Sequence, residues 1–173
     1  MRNFFVFALL GFVLLSFYMV NDVNADSKQN PVVLDSEFQI EEFVSGLFVP
    51  VNMEFIGNDL LVLEKNTGTV RHIQNNILLD SPVLDVEVSN YGEQGLLGIT
   101  SIENDVYLFF TEAYHDGGRA LENRVYKYSW NGNELVEPIL LKRIPGFERE
   151  YVGGELVSDL DNKVYAITGE NYK

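Results

Sequence analysis

The chain has 173 residues, enough for one ordinary domain, and carries 26 Asp and Glu against 12 Lys and Arg, for a net charge of −14. This acidic balance argues against nucleic acid or an anionic lipid surface as a partner, and it suits solubility, cation binding or a polar uncharged substrate. The absence of cysteine excludes a disulfide framework, a thiolate metal site and a cysteine nucleophile.

The N-terminal segment has the pattern of an export signal. Arg2 supplies a positive charge, and the stretch from Phe4 to Val20 is apolar over 17 residues. Val23 and Ala25 then occupy the small-residue positions of a cleavage site. An uncleaved membrane anchor is the alternative, because 17 residues is at the short end of what spans a bilayer.

These features divide the chain into three parts. We expect a signal peptide or anchor over residues 1–25, a linker over 26–35 and a single domain over 36–173. Either interpretation of the first part places the domain outside the cytoplasm, secreted or membrane-anchored. Membrane contact is then expected only through the N-terminal segment.

From Ser36 onward the sequence predicts β-structure. Short runs rich in Val, Leu, Ile, Phe and Tyr are separated by Gly, Asn and Asp clusters. The predicted strands, in chain order, are FQIEEFVSGL, VNMEFIG, DLLVLEK, GTVRHIQ, LGITSI, DVYLFFTEA, NRVYKYSW, GELVSDL and KVYAITGE. No window of 12 or more residues after Ala25 has a clear helical period, so we expect an all-β fold.

The strands also repeat. MEFIGNDLLVLEK, ITSIENDVYLFFTE and LVSDLDNKVYAITGE each place an Asn/Asp turn between two apolar strands, and this plan aligns Leu60, Val106 and Val164. Repeats of this length with four short strands are typical of propeller blades, and a β-sandwich is the alternative. The chain holds two to three such units, whereas a closed ring needs at least about four. We therefore expect either a longer product or a ring that other chains complete.

Two glycine-containing stretches lead into predicted inner strands. In YGEQGLLGI, the polar pair Glu93-Gln94 precedes Gly95 and Gly98, and in REYVGGEL a polar segment precedes two adjacent glycines. The innermost strand of a blade lines the central channel, where glycine lets the backbone approach a ligand closely. The alternative is that Gly95 and Gly98 only form a bulge and a tight packing contact.

Here the sequence resembles a known family. The segments GLFVPVNMEFIGNDLLVLEKNTGTVRHI, EQGLLGI, NRVYKY and GGELV are similar to the opening blades of the soluble quinoprotein glucose/sorbosone dehydrogenase family, which includes aldose sugar dehydrogenases. The resemblance implies a six-bladed β-propeller, of which the first two to three blades are present. It also implies pyrroloquinoline quinone (PQQ) and calcium as cofactors and a small-molecule sugar as substrate.

The resemblance also implies roles for individual residues. Tyr151 stands where the family has its catalytic histidine, and Glu170 stands where the family has the aspartate that orients it. Glu93, with Gln94 beside it, matches a sugar-contacting position, and Glu150 matches the acidic residue before the histidine. A tyrosine with a usual pKa near 10 is a poor proton acceptor at neutral pH, whereas histidine titrates near 6.5.

Two functions remain open from these residues. One is a PQQ-dependent sugar dehydrogenase that oxidises a sugar hydroxyl by hydride transfer to the quinone, with this chain inactive alone because the base and the cofactor-binding blades are missing. Cofactor ligands are expected in those blades, and no metal site is predicted here. The other is a non-catalytic propeller outside the cytoplasm that binds carbohydrate or protein.

The two histidines and one acidic turn have plainer interpretations. His72, in a third strand, is expected on the surface, and His115, beside Asp116, in a solvent loop rather than a metal site. Asp159–Asn162, which resembles part of a calcium loop, is expected to be a hairpin turn.

Overall fold

The structure is a computed structural model and describes residues 32–145 and 149–169. The chain divides into two compact units, Met1–Ile40 and Glu41–Lys173. In the first unit, the described residues 32–40 form an exposed turn in which Asp35 Oδ1 accepts the Glu37 N–H at 2.9 Å. The predicted signal peptide over residues 1–25 lies outside the described residues.

The described part of the second unit consists of β-strands and irregular connections. The strands are β1 (Pro50–Ile56), β2 (Asp59–Glu64), β3 (Thr69–Gln74), β4 (Ile77–Leu78), β5 (Leu84–Asp85), β6 (Leu96–Ile102), β7 (Asp105–Ala113), β8 (Ala120–Trp130), β9 (Leu135–Ile144), β10 (Gly153–Ser158) and β11 (Val164–Thr168). Residues 32–145 and 149–169 contain no helix, and hence none long and apolar enough to cross a membrane.

The strands form three antiparallel sheets in chain order. The first sheet has the order β1-β2-β3-β4, with β5 also pairing with β3; the second has the order β6-β7-β8-β9; the third is the pair β10-β11. Sequential hairpins of four strands are the construction of a propeller blade. The all-β, propeller-type fold class is therefore confirmed, with two whole blades and part of a third among the described residues.

The repeat predicted from the sequence corresponds to equivalent positions in the three sheets. Leu60 pairs with Phe55 just after the first hairpin turn, and Val106 pairs with Ser101 just after the second. Val164 pairs with the last residue of β10 just after the third. The Asp159–Asn162 segment is the hairpin turn that was expected, with Asp159 Oδ1 accepting two backbone N–H groups.

One predicted strand is absent, and three strands were not predicted. The apolar run FQIEEFVSGL contains no strand. Within it, Val44 and Leu47 are partly buried in irregular conformation against the outer face of the first sheet, so this packing does not need strand pairing. By contrast, the two-residue strands β4 and β5 and the long strand β9 were missed.

β9 has little sequence signal because it is an edge strand. Most of its residues are exposed, so it lacks the apolar alternation of a half-buried strand. Glu137 has φ 56° before Pro138, and the pairing with β8 shifts register nearby. Proline is tolerated at such a bulge on an edge strand, because no ladder hydrogen bond needs its missing N–H.

The hydrophobic core lies between consecutive sheets. Between the first and second sheets the buried residues include Leu61, Leu63, Val70, Leu96, Ile99, Leu108, Phe110 and Trp130. Between the second and third they are Phe109, Val125, Val152 and Leu156. This face-to-face packing brings the first strands β1, β6 and β10 side by side as the inner strands.

Hydrogen bonds between sheets fix the inner strands. Asn52 Nδ2 of β1 donates to the Leu97 carbonyl of β6 at 3.2 Å, and Thr100 Oγ1 of β6 donates to Ser158 Oγ of β10 at 3.2 Å. Gly98 and Gly154 approach each other closely, since a Cβ on Gly98 would lie 2.0 Å from the Gly154 carbonyl oxygen. The short distance between Gly98 and Gly154 lets the loops that precede β6 and β10 come close together.

Candidate functional site

The loops that precede β6 and β10 meet at one end of the sheets. The Glu93 N–H donates to the Arg149 carbonyl at 2.8 Å, and the Val152 N–H donates to Glu93 Oε2 at 3.1 Å. We call the two loop segments, residues 91–95 and 149–153, the mouth. The approach leaves no room for a side chain at Gly92, where a Cβ would lie 2.5 Å from the Arg149 carbonyl oxygen.

The mouth brings several of the predicted site residues together. Glu93 reaches across to the backbone next to Tyr151, and Glu150 is exposed in the same loop. Glu93 therefore combines a carboxylate facing the mouth with a bond that holds the second loop in place. Glu170 lies outside the described residues, but Gly169, which precedes it, donates its N–H to the Val152 carbonyl at 3.1 Å.

Gln94 sits beneath the mouth rather than on its surface. It is 2% exposed, and its Oε1 accepts the Ser89 hydroxyl at 2.6 Å. Gln94 also lines a cavity of about 330 Å³ together with Tyr91, Arg119 and Arg149. The Arg149 guanidinium stacks 4.9 Å from the centre of the Tyr91 ring, which stabilises the rim of that cavity.

Tyr151 has an exposed side chain on a constrained backbone. Its relative exposure is 59%, and its φ is 59°, in the left-handed region that bulky residues rarely adopt. The backbone is held tightly, because a Cβ on Gly169 would lie 1.4 Å from the Tyr151 carbonyl oxygen. Strained residues of this kind concentrate at functional sites.

Lys65 is a component of the site that the sequence did not reveal. Its Nζ donates to the Gly92 carbonyl at 2.8 Å and to Asn66 Oδ1 at 3.2 Å, beside the first loop of the mouth. Burial lowers the pKa of Lys65, and the nearby charge of Glu93 partly offsets that effect. Its position directly after β2 was the available sequence signal, because β2 ends at the same end of the sheets as the loops that precede β6 and β10.

The glycines of YGEQGLLGI have the structural role that was the alternative interpretation. The β6–β7 register shifts between Leu96 and Gly98, which marks a bulge. Gly95, with φ 150°, would place a Cβ 2.5 Å from the Lys65 carbonyl oxygen. Gly95 and Gly98 therefore serve the bulge and the tight packing of the inner strands.

Of the two predicted histidine positions, one agrees with the structure and the other does not. His115 is exposed in the β7–β8 loop, as expected. The surface position predicted for His72 was wrong: it is 2% exposed, packs edge-on against Trp130 and lies 3.0 Å from Asp59 Oδ1 through Nε2. Its strand is third in the first sheet, but its side chain faces the second sheet and is covered by Trp130.

No group of three or more His, Asp or Glu side chains that could hold a metal ion occurs within residues 32–145 and 149–169. Of the basic residues at the mouth, Lys65 is bonded to the loop backbone and Arg149 is stacked on Tyr91. Both cations are thus engaged within the protein.

A sequence profile described as Glucose / Sorbosone dehydrogenase matches residues 47–173. The search of curated proteins gives no match.

Solved structures give the same family. An oxidoreductase of Thermus thermophilus described as a glucose dehydrogenase is 30% identical, with a TM-score of 0.66 over 77% of this chain and 41% of that one. The PQQ-bound aldose sugar dehydrogenase of Streptomyces coelicolor is 27% identical, with a TM-score of 0.64 over 78% of this chain and 42% of that one. The chain thus spans about two fifths of the length of these structures, and it belongs to the glucose/sorbosone dehydrogenase family.

Proposed function

We propose that the chain contributes the inner-strand wall of a sugar site in a propeller of the PQQ-dependent sugar dehydrogenase type. The observation that carries the proposal is the Glu93–Val152 bond. It joins the two loops that carry the family's sugar-contacting position, Glu93, and the position of its base, Tyr151. A carboxylate bonded to the backbone one residue after an exposed tyrosine has acceptor positions left over for a sugar hydroxyl.

In this proposal the residues of the mouth bind and orient the substrate. Glu93 accepts a hydrogen bond from a sugar hydroxyl, Glu150 extends the acidic rim, and Glu170 follows the segment packed against Tyr151. PQQ, when bound in the complete propeller with calcium, would supply the acceptor for the hydride released as the sugar hydroxyl is oxidised. Tyr151 can donate a hydrogen bond but accepts a proton poorly compared with histidine.

We therefore expect the 173-residue chain to show no dehydrogenase activity. The test is quinone reduction by the purified chain supplied with PQQ, calcium and a panel of aldoses. A version extended to the length of its structural relatives, carrying Tyr151→His, should oxidise sugar roughly 10²-fold faster than the same version with tyrosine. Rapid quinone reduction by the unextended chain would overturn the role given to Tyr151.

A second function is favoured by the exposure of the Tyr151 ring. An exposed aromatic ring in an acidic, hydroxyl-binding mouth is suited to hold a carbohydrate without oxidising it, because the ring supplies apolar contact and the hydroxyl a hydrogen bond. This alternative is a non-catalytic propeller that binds carbohydrate or protein. Unchanged oxidation in the extended Tyr151→His version, together with retained sugar binding, would favour it.

We further propose that the protein is exported. The proposal rests on the apolar stretch and cleavage pattern of residues 1–25, with a linker over 26–35 before the propeller domain at 36–173. Export with cleavage predicts a mature N-terminus at Asp26, and a membrane anchor predicts a membrane-bound product that begins at Met1. A soluble cytoplasmic product that begins at Met1 would contradict both.

Two outer sheet faces point to further propeller blades as partners. Large apolar side chains are exposed on the outer face of the first sheet and on that of the third: Val51, Met53, Phe55, Val157, Tyr165 and Ile167. Apolar patches of this kind mark interaction surfaces. We propose that blades of the same protein cover both faces, with self-association as the alternative.

The mass of the native product tests this coverage. A single polypeptide about twice the 19.7 kDa of this chain supports further blades, and an oligomer of the 19.7 kDa chain supports self-association. A stable 19.7 kDa monomer would contradict the proposed coverage.

A further inference from the structure

A second cleft lies between the first two sheets, at the end opposite the mouth. The hairpin turns β1–β2, β3–β4, β6–β7 and β8–β9 surround a space of about 840 Å³. Its lining is rich in side-chain amides, and among the described residues it contains one carboxylate, Asp59, and no lysine or arginine. None of these residues belongs to the mouth.

The carboxylate in this cleft is held in a fixed orientation. His72 and Gln74, both on β3, reach Asp59 Oδ1 at 3.0 Å each, and Trp130 of the second sheet lies against His72. Because a carboxylate only accepts, His72 Nε2 carries the proton, and its buried Nδ1 has no hydrogen-bond partner among the described residues. A carboxylate has about four acceptor positions, so Asp59 retains capacity for a ligand hydroxyl.

Two of the amides lie in hairpin turns without occupying the left-handed positions of those turns. Asparagine is common in hairpins because it tolerates a left-handed backbone, but here Gly57 and Glu103 take the left-handed positions next to Asn58 and Asn104. Both residues are exposed, and neither side chain hydrogen-bonds to another described residue. By contrast, Asn131 uses its Oδ1 to accept the N–H groups of two residues in its own turn.

The chemistry of this lining selects the class of ligand. A side-chain amide offers both donors and an acceptor, which matches the dual character of a sugar hydroxyl. An anionic ligand would meet Asp59 without a compensating cation, and a strongly apolar ligand would leave the amides unsatisfied. The volume falls in the range of small-molecule sites, about 300–1,000 Å³. We propose that this cleft, lined by Asn58, Asp59, Gln74 and Asn104, binds an uncharged oligosaccharide separately from the mouth.

The chain carries a built-in reporter for this site. It has a single tryptophan, Trp130, which lines the cleft and is 7% exposed. Ligand bound in the cleft should change the tryptophan emission, whereas sugar bound at the mouth lies at the other end of the sheets. The proposal predicts a saturable change in Trp130 fluorescence when maltotriose or cellotriose is added to the purified chain.

Matched variants test whether the amides are responsible. Asn104→Ala and Asn58→Ala should each raise the apparent Kd for the trisaccharide about 2- to 10-fold, the effect of losing one hydrogen bond. Asn133→Ala is the control, because Asn133 lies in the β8–β9 turn but does not line the cleft, and its Kd should match that of the unmodified chain. Glucose 6-phosphate should bind more weakly than glucose because of Asp59.

Several results would overturn the proposal. One is the absence of a saturable fluorescence change with both trisaccharides. Another is an equal Kd in Asn104→Ala, Asn58→Ala and Asn133→Ala, each shown by circular dichroism to be folded. If either cleft variant fails to fold, backbone amide shifts of the unmodified chain must locate the trisaccharide at Gly57, Asn104 and Gly132, and shifts elsewhere refute the site.

Discussion

Replacing Gly98 with alanine should force the second and third sheets apart. The added Cβ would lie 2.0 Å from the Gly154 carbonyl oxygen, whereas ordinary contact begins at 3.4 Å, so the inner strands must separate by roughly 1.4 Å. Because the obstructing atom is backbone, no side-chain rotation relieves the overlap. The 3.2 Å bond between Thr100 and Ser158 would be lost with the separation.

The expected cost combines these two effects. Overpacking costs about 1–3 kcal/mol and a lost hydrogen bond about 1 kcal/mol, so Gly98→Ala should lower the free energy of unfolding by about 3 kcal/mol. For a chain of this size that corresponds to a fall in Tm of roughly 10 °C. The measurement is urea unfolding followed by circular dichroism.

Gly57→Ala provides the control for this prediction. Gly57 lies in a hairpin turn with φ 61°, and a Cβ added there would meet open space, so its replacement costs only the left-handed backbone penalty of about 1 kcal/mol. Equal destabilisation by the two substitutions, or a smaller effect of Gly98→Ala, would refute the close packing of β6 on β10.

Three further predictions concern the two ends of the sheets. Glu93→Ala should speed hydrogen exchange at the Val152 amide roughly fivefold, whereas Glu93→Gln keeps an acceptor and should change the rate less. Equal exchange rates in the unmodified chain and both variants would refute the Glu93–Val152 hydrogen bond. Partial burial alone would raise the pKa of Asp59, but hydrogen bonds from His72 and Gln74 lower it on balance. The stability that Asp59 contributes is therefore present above about pH 4 and lost as the pH falls below it. The difference in unfolding free energy between the unmodified chain and Asp59→Asn should shrink in acid. A difference that stays constant with pH would contradict the lowered pKa of Asp59. His72→Phe should also destabilise the chain by about 1–3 kcal/mol, because it removes the donor to Asp59, and an unchanged urea midpoint would contradict this.

The sequence predicts the repeat better than it predicts the strand edges. Leu60, Val106 and Val164 could be aligned because each is the first apolar residue after a turn, and turn chemistry is local. β9 could not be predicted, because both faces of most of this edge strand are exposed and its side chains therefore show no alternation of apolar and polar residues. The irregular segment around Val44 shows the converse, since apolar residues can pack on a sheet and be partly buried without strand pairing.

At the site, the sequence identified positions but not contacts. The loops that carry Glu93 and Tyr151 were recognised from their glycines, and the structure places both in the mouth. The involvement of Lys65 depends on packing between residues far apart in the chain, which no local pattern reports. His72 was misassigned for the same reason, because the residue that covers it, Trp130, comes from the next sheet.

The most direct test of the account is to map where sugar binds. D-glucose titrated into the isotopically labelled chain should shift the backbone amide resonances of the mouth, residues 91–95 and 149–153, and the Glu93→Ala variant should weaken those shifts. Amides of the mouth that remain unmoved at saturating glucose would contradict the proposal that these inner-strand loops form a sugar site.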